Sequence, residues 1–119
     1  MIVKPWGTSL KLYDTDGYAL FHMKLKKGGY SSTHMHSKSY NKFILVKGAV
    51  KLNVLPIIDS NHVVEYDLTL WKPIVVNPTV YHKFIAVSDS ILYEIYISDE
   101  TYDENDITRL DTNGIKDTL

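Results

Sequence analysis

The chain has 119 residues, an apolar share of 45% and a formal net charge of −1, which fits one domain with a modest core and argues against a surface built to follow nucleic-acid phosphates. It contains no cysteine, so thiolate metal sites, thiol catalysis and a disulfide framework are excluded, and a reducing, cytoplasmic setting is expected. Lys4 and Pro5 interrupt the N-terminus and no apolar run is sustained, so neither a signal peptide nor a membrane partner is expected.

Short apolar or alternating runs separated by turn residues dominate the chain. Tyr18 to Leu25 predicts the first firm strand, Gly28-Gly29 a turn, and Asn41 to Val46 the next strand before Lys47-Gly48. Ala49 to Leu55 follows, stopped by Pro56; Asp59-Ser60-Asn61 reads as a turn and His62 to Tyr66 as a further strand. Leu68 to Val76 is broken by Pro73, and Asn77-Pro78-Thr79 forms a tight entry to Tyr81–Val87. Ser88-Asp89-Ser90 then links to Ile91–Ile97, and these last two strands are expected to form an antiparallel hairpin. Only Asp103 to Leu110 has helical character, with Asp103 or Asn105 as its cap. The expected fold class is therefore all-β, a sandwich or barrel.

The chemistry concentrates around three histidines. His34 and His36 lie two apart, so on one strand their side chains leave the same face and two imidazoles can converge on one ion. His82, after the turn at Asn77-Pro78-Thr79, is the third candidate ligand, and the Asn41 amide oxygen the fourth. Three imidazoles and one amide oxygen suit a single divalent transition metal, Zn(II) first, with Fe(II), Ni(II), Co(II) or Mn(II) as the others. Glu94 is a candidate general base if it turns inward from its strand, although Tyr93 or Ile95 could equally fill the core. Lys24, Lys26 and Lys27 read as a solvated face that would also attract a phosphorylated or carboxylate ligand.

Gly28, His34-Met35-His36, Asn41 and Gly48 together resemble the first cupin motif, with Asn41 where Glu is usual. Asn77-Pro78-Thr79-Val80-Tyr81-His82 resembles the second, without its usual glycine. A narrower resemblance joins Lys4-Pro5-Trp6-Gly7, the paired glycines and Glu104-Asn105-Asp106-Ile107-Thr108-Arg109-Leu110 to the type II mannose-6-phosphate isomerase domain. Ser39, Asn41 and Lys42 depart from that family, which carries a basic residue, Glu and His there.

The resemblance implies a single cupin domain over residues 1–119, a jelly-roll β-barrel with residues 99–119 packed on it as a tail. It implies a metal-dependent isomerase of a sugar phosphate, with the ion held by His34, His36, His82 and Asn41. Glu94 and Lys42 are then candidate catalytic residues, and Arg109 reaches a phosphate or locks the tail. A homodimer is also implied, with Lys4-Pro5-Trp6-Gly7 at an edge or at the contact. The departures keep a second expectation open, a non-catalytic cupin that binds a small ligand or serves in an assembly.

Overall fold

Period-two alternation produces the strands, because each pleat sends one set of side chains to the core and the other to the surface. The computed structural model describes residues 1–56 and 62–116; the turn expected at Asp59-Ser60-Asn61 lies outside them. The first three strands are β1 (Ile2–Lys4), β2 (Gly7–Thr15) and β3 (Tyr18–Leu25). Two short strands, β4 (Gly29–Tyr30) and β5 (His34–Met35), lead into β6 (Tyr40–Lys47) and β7 (Val50–Leu55). The chain continues through β8 (Val64–Asp67), β9 (Ile74–Val76), β10 (Tyr81–Ala86) and β11 (Ser90–Ile97), and ends with β12 (Thr108–Arg109) and β13 (Gly114–Ile115).

Two sheets face each other. One has the order β1-β2-β3-β11-β6-β9; in the other, β12-β5-β10-β4-β13 forms a path and β7 joins β10 to β8. This is an all-β jelly-roll arrangement of cupin type, with edge strands left at both sheets instead of the closed barrel expected from the sequence. The expected hairpin of the last two long strands is also replaced. β10 pairs with β7 and β11 with β3 and β6, so Val87 to Asp89 carry the chain from one sheet to the other.

The core fills the space between the sheets. Phe21, Met23 and Leu25 from β3, Phe43 and Leu45 from β6, Leu52 from β7, Phe84 from β10 and Leu92 from β11 are all buried. Trp6, expected at an edge or a dimer contact, is part of this core and meets Phe84 edge-on at 5.1 Å. Gly28 takes φ +84, and a Cβ there would collide with the Lys116 carbonyl oxygen; glycine alone allows this backbone to approach so closely.

No helix forms at Asp103 to Leu110, nor elsewhere among the described residues. The Asp103 carboxylate accepts the Asn105 amide N–H at 2.9 Å, as a helix cap would. The turn does not propagate, because Thr108 and Arg109 pair instead with Met35 and His34. Sheet pairing satisfies their backbone groups and holds this segment across the histidine loop.

Candidate metal centre and cleft

Cross-strand register brings the three histidines together. His34 on β5 and His82 on β10 are direct antiparallel partners, and the chain leaving β5 carries His36 around the same end of the sandwich. All three are buried, and one ring nitrogen from each lies within 4.8 Å of the others. Thr79, at φ +67, holds the left-handed conformation that glycine favours. Its amide N–H donates to the His36 carbonyl at 2.7 Å, tying the approach to His82 to the first histidine pair.

Each imidazole is oriented by a backbone carbonyl. Nδ1–H of His34 donates to Ser32 O at 2.7 Å, that of His36 to Asp106 O at 2.7 Å, and that of His82 to Val80 O at 3.0 Å. Nδ1 is then the protonated nitrogen, and Nε2 keeps its lone pair for a ligand. Nε2 of His36 and of His82 is buried without a hydrogen-bond partner among the described residues. Two such atoms in one three-histidine cluster fit a metal ion, since buried polar atoms are otherwise paired. Burial pushes the His34 pKa down to about 3, with the neighbouring His82 and His36 adding to it, and burial pushes His82 down to about 4. His36 is lowered as well, chiefly by burial. Neutral imidazoles are the form that ligates.

Next to the histidines is a second buried polar group. Glu94 faces inward from β11, and its carboxylate accepts from the Asn41 amide at 2.9 Å; the Tyr96 hydroxyl hydrogen-bonds both residues. The Asn41 Oδ1 atom is left buried and unpartnered. Burial raises the Glu94 pKa to about 7, against the opposing effect of the Tyr96 and Asn41 hydrogen bonds. Tyr96 is pushed well above the usual phenol range, first by burial and then by Glu94. Its ring meets His36 edge-on at 5.0 Å.

A cleft of about 720 Å3 opens onto this cluster, and His34, His36, Glu94, Tyr96 and Arg109 are among its walls. Arg109, exposed on β12, is the Cα partner of His34, and its charge helps lower both His34 and His36. Lys42 is elsewhere: on β6 it alternates with the inward-facing Asn41 and Phe43, so its side chain leaves the opposite face of the sheet.

Tyr96 and Asp106 are the two residues of this cluster to which the sequence assigned no role. The Asp106 carboxylate accepts from the Ser37 amide at 2.9 Å, the Lys38 amide at 3.0 Å and the Ser37 hydroxyl, while its own carbonyl orients His36. Asp111 does the same for the Thr33 amide and hydroxyl. The loop bearing His34 and His36 is thus clamped at both ends by the C-terminal segment. Nothing local marks these carboxylates, because their partners lie about 70 residues away in sequence.

No protein-family model and no curated protein matches this chain. Solved structures do. A structure of CapF with the inhibitor 3-isopropenyl-tropolone is similar, with a TM-score of 0.77 at 20% identity, over 94% of this chain and 34% of that one. KdgF from Halomonas sp. gives 0.69 at 16%, over 82% and 85% of the two chains. Recombinant oxalate oxidase in complex with glycolate gives 0.70 at 18%, over 90% and 57%. The chain therefore spans about a third of CapF. At these identities the likeness establishes a cupin fold; none of the three is named as a mannose-6-phosphate isomerase, and that narrower resemblance gains nothing from them.

Proposed function

We propose that this chain is a metal-dependent enzyme acting on a small, oxygen-rich substrate, and that its reaction is the aldose–ketose isomerisation of a sugar phosphate. The observation that carries the reading is the buried Glu94 carboxyl on the same cleft as His34 and His36, whose imidazoles converge with that of His82. His34, His36 and His82 would hold the ion, with Asn41 Oδ1 as a fourth, neutral donor. A bound divalent ion supplies Lewis-acid polarisation of a carbonyl oxygen. Glu94, with a pKa of about 7, both accepts and returns a proton near neutral pH, which suits the transfer between adjacent carbons of a hydroxy-carbonyl. Asn41 and Tyr96 fix its carboxyl by hydrogen bonds. Arg109, on the cleft wall, supplies a cation for a phosphate or carboxylate. Lys42, on the far face, has no part in this scheme.

The ligands named for the similar structures fit a small substrate of this kind. A tropolone and glycolate both present two adjacent oxygen donors. The second reading, a non-catalytic ligand-binding cupin, is favoured by one observation, the neutral Asn41 amide in place of a carboxylate.

The test is incubation of the metal-loaded protein with mannose 6-phosphate in deuterated water, followed by proton NMR. Isomerisation predicts ketose formation with deuterium incorporated at C1, where the proton removed from C2 of the aldose is returned, and this is lost in Glu94→Gln while metal content is kept. Binding of the sugar phosphate without exchange or product would establish the second reading and refute the first.

A further inference from the structure

One inward position of the six-stranded sheet holds a lysine. The register sets Glu94 on β11 opposite Phe21 on β3, and Phe21 opposite Lys11 on β2. Directly opposed residues point to the same side of an antiparallel sheet, so Lys11 shares the inward face of buried Phe21 and Glu94. The strand is irregular at this point. Pairing of β2 with β3 shifts between Lys11 and Tyr13, which makes Leu12 the extra residue of a β-bulge; bulges re-aim side chains next to functional sites. Residues three apart on a regular strand face opposite ways. Here the bulge turns Asp14 to the side of buried Ala19, the same side as Lys11. The Lys11 ammonium donates to the Asp14 carboxylate at 3.0 Å. Asp14 also faces the cleft residue Tyr102, whose pKa is raised first by burial and then by carboxylates that include Glu94 and Asp14. Lys11 itself lines the cleft, and the proposed isomerisation gives it no task.

We infer that Lys11 is a specificity-determining residue, which binds the anionic group of the substrate remote from the metal; resting on the isomerase reading, that group is the phosphate of the sugar phosphate. The spacing supports this. Two strand separations of about 4.8 Å put Lys11 roughly 10 Å from Glu94 along the row. In an open-chain hexose 6-phosphate, six bonds separate C2 from phosphorus, a span of roughly 7 Å at about 1.5 Å a bond. Hydrogen-bond lengths at the two ends make up the difference, so a sugar whose C2 faces Glu94 brings its phosphate to Lys11. Phe21, midway along the row and in ring contact with Tyr102 at 5.4 Å, offers apolar surface to the carbon chain between. An ammonium has three donors; one serves Asp14, and two are left for phosphate oxygens. Charge on the cleft walls gives the same orientation. Asp103 and Glu104 line the cleft from the segment between β11 and β12, and they turn an anionic end away from that wall and toward β2. Arg109, the Cα partner of His34, stands at the metal end.

The experiment is calorimetric titration of the metal-loaded full chain with glucitol 6-phosphate, which has no carbonyl to isomerise, and with glucitol, which lacks the phosphate. The parent is expected to bind the phosphate ester about tenfold more tightly. Lys11→Met should remove that preference with the circular dichroism unchanged, and Lys11→Arg should keep it. The Lys11 side chain is 49% exposed, so its substitution carries little burden on folding. Lys72→Met, at an exposed lysine outside the cleft, should leave the preference intact. A lysine that serves only to blunt a free sheet edge leaves both affinities unaltered in Lys11→Met. That result, or a parent without preference for the phosphate ester, overturns the proposal. The isomerase reading fails separately: a phosphate preference that depends on Lys11 stands even where the parent catalyses no deuterium exchange.

Discussion

The two ends of the space between the sheets are filled by opposite chemistries. Around Leu52, Leu92, Ala86 and Trp6 the interior is apolar and densely packed; beyond Phe43, whose ring lies 5.8 Å from that of His82, it holds three imidazoles, a carboxyl, an amide and a phenol. Burying apolar atoms stabilises the fold, whereas burying polar groups with unpartnered atoms costs stability that ligand binding can return. Substitutions at the apolar end should therefore unfold the protein. Those at the polar end should abolish ligand binding while leaving the metal-free fold intact or strengthened.

The largest effect belongs to the apolar end. Leu52→Ala, at a position with no solvent exposure, should lower unfolding free energy in urea by about 2–5 kcal/mol. An unchanged midpoint would mean that this end is not the stabilising core.

Glu94→Gln tests the polar end through its pH dependence. The folded-state pKa of Glu94 is raised to about 7 from an ordinary 4.5, so the folded chain binds the extra proton and loses stability as pH rises through that window. Gln removes the penalty. The metal-free variant should match the parent near pH 4 and exceed it at pH 8, by at most about 3 kcal/mol. The lowered histidines act in the other direction, since the unfolded state takes up more protons below pH 6.5; the metal-free parent should lose stability as pH falls from 6.5 toward 4. Melting temperatures at three pH values separate the two trends.

Asp106→Ala should lie between the extremes. Losing its hydrogen bonds to Ser37 and Lys38 loosens the His36 loop, and second-layer losses of this kind weaken metal affinity by roughly 10–100-fold. Competition with a chelator of known affinity measures it. The smallest effect is expected at Lys51, whose exposed pairs with Glu65 and Asp67 are screened by water; Lys51→Ala should leave the melting temperature within experimental error.

The sequence made the polar end more legible than the connections. Parity alone aims His34 and His36 the same way and puts Asn41 on the face of Phe43, whereas on the last long strand it leaves Glu94 open against Tyr93 or Ile95, and only pairing with β3 and β6 turns Glu94 inward with Leu92. The strand assignments of Tyr18–Leu25 and Tyr81–Val87 follow from the same rule, the second ending one residue earlier in the structure, at Ala86. Pairing does not, because alternation carries no information about which sheet a strand joins; Ser88-Asp89-Ser90 reads as a hairpin turn, yet it crosses between sheets. The segment from Asp103 to Leu110 misleads for a related reason. Its local Asp103 cap is real, but pairing with β5 decides the conformation. The clamp of Asp106 and Asp111 on the histidine loop was likewise hidden, since it joins residues that only the finished fold brings together.

The central claim is that the three histidines bind a metal, and elemental analysis of protein purified without an affinity tag or added metal tests it most directly. The account predicts about one transition-metal ion per chain, lost in both His34→Ala and His82→Ala while their circular dichroism matches the parent. A parent that holds no metal, and takes up none from Zn(II), Fe(II), Ni(II), Co(II) or Mn(II) at neutral pH, would contradict it.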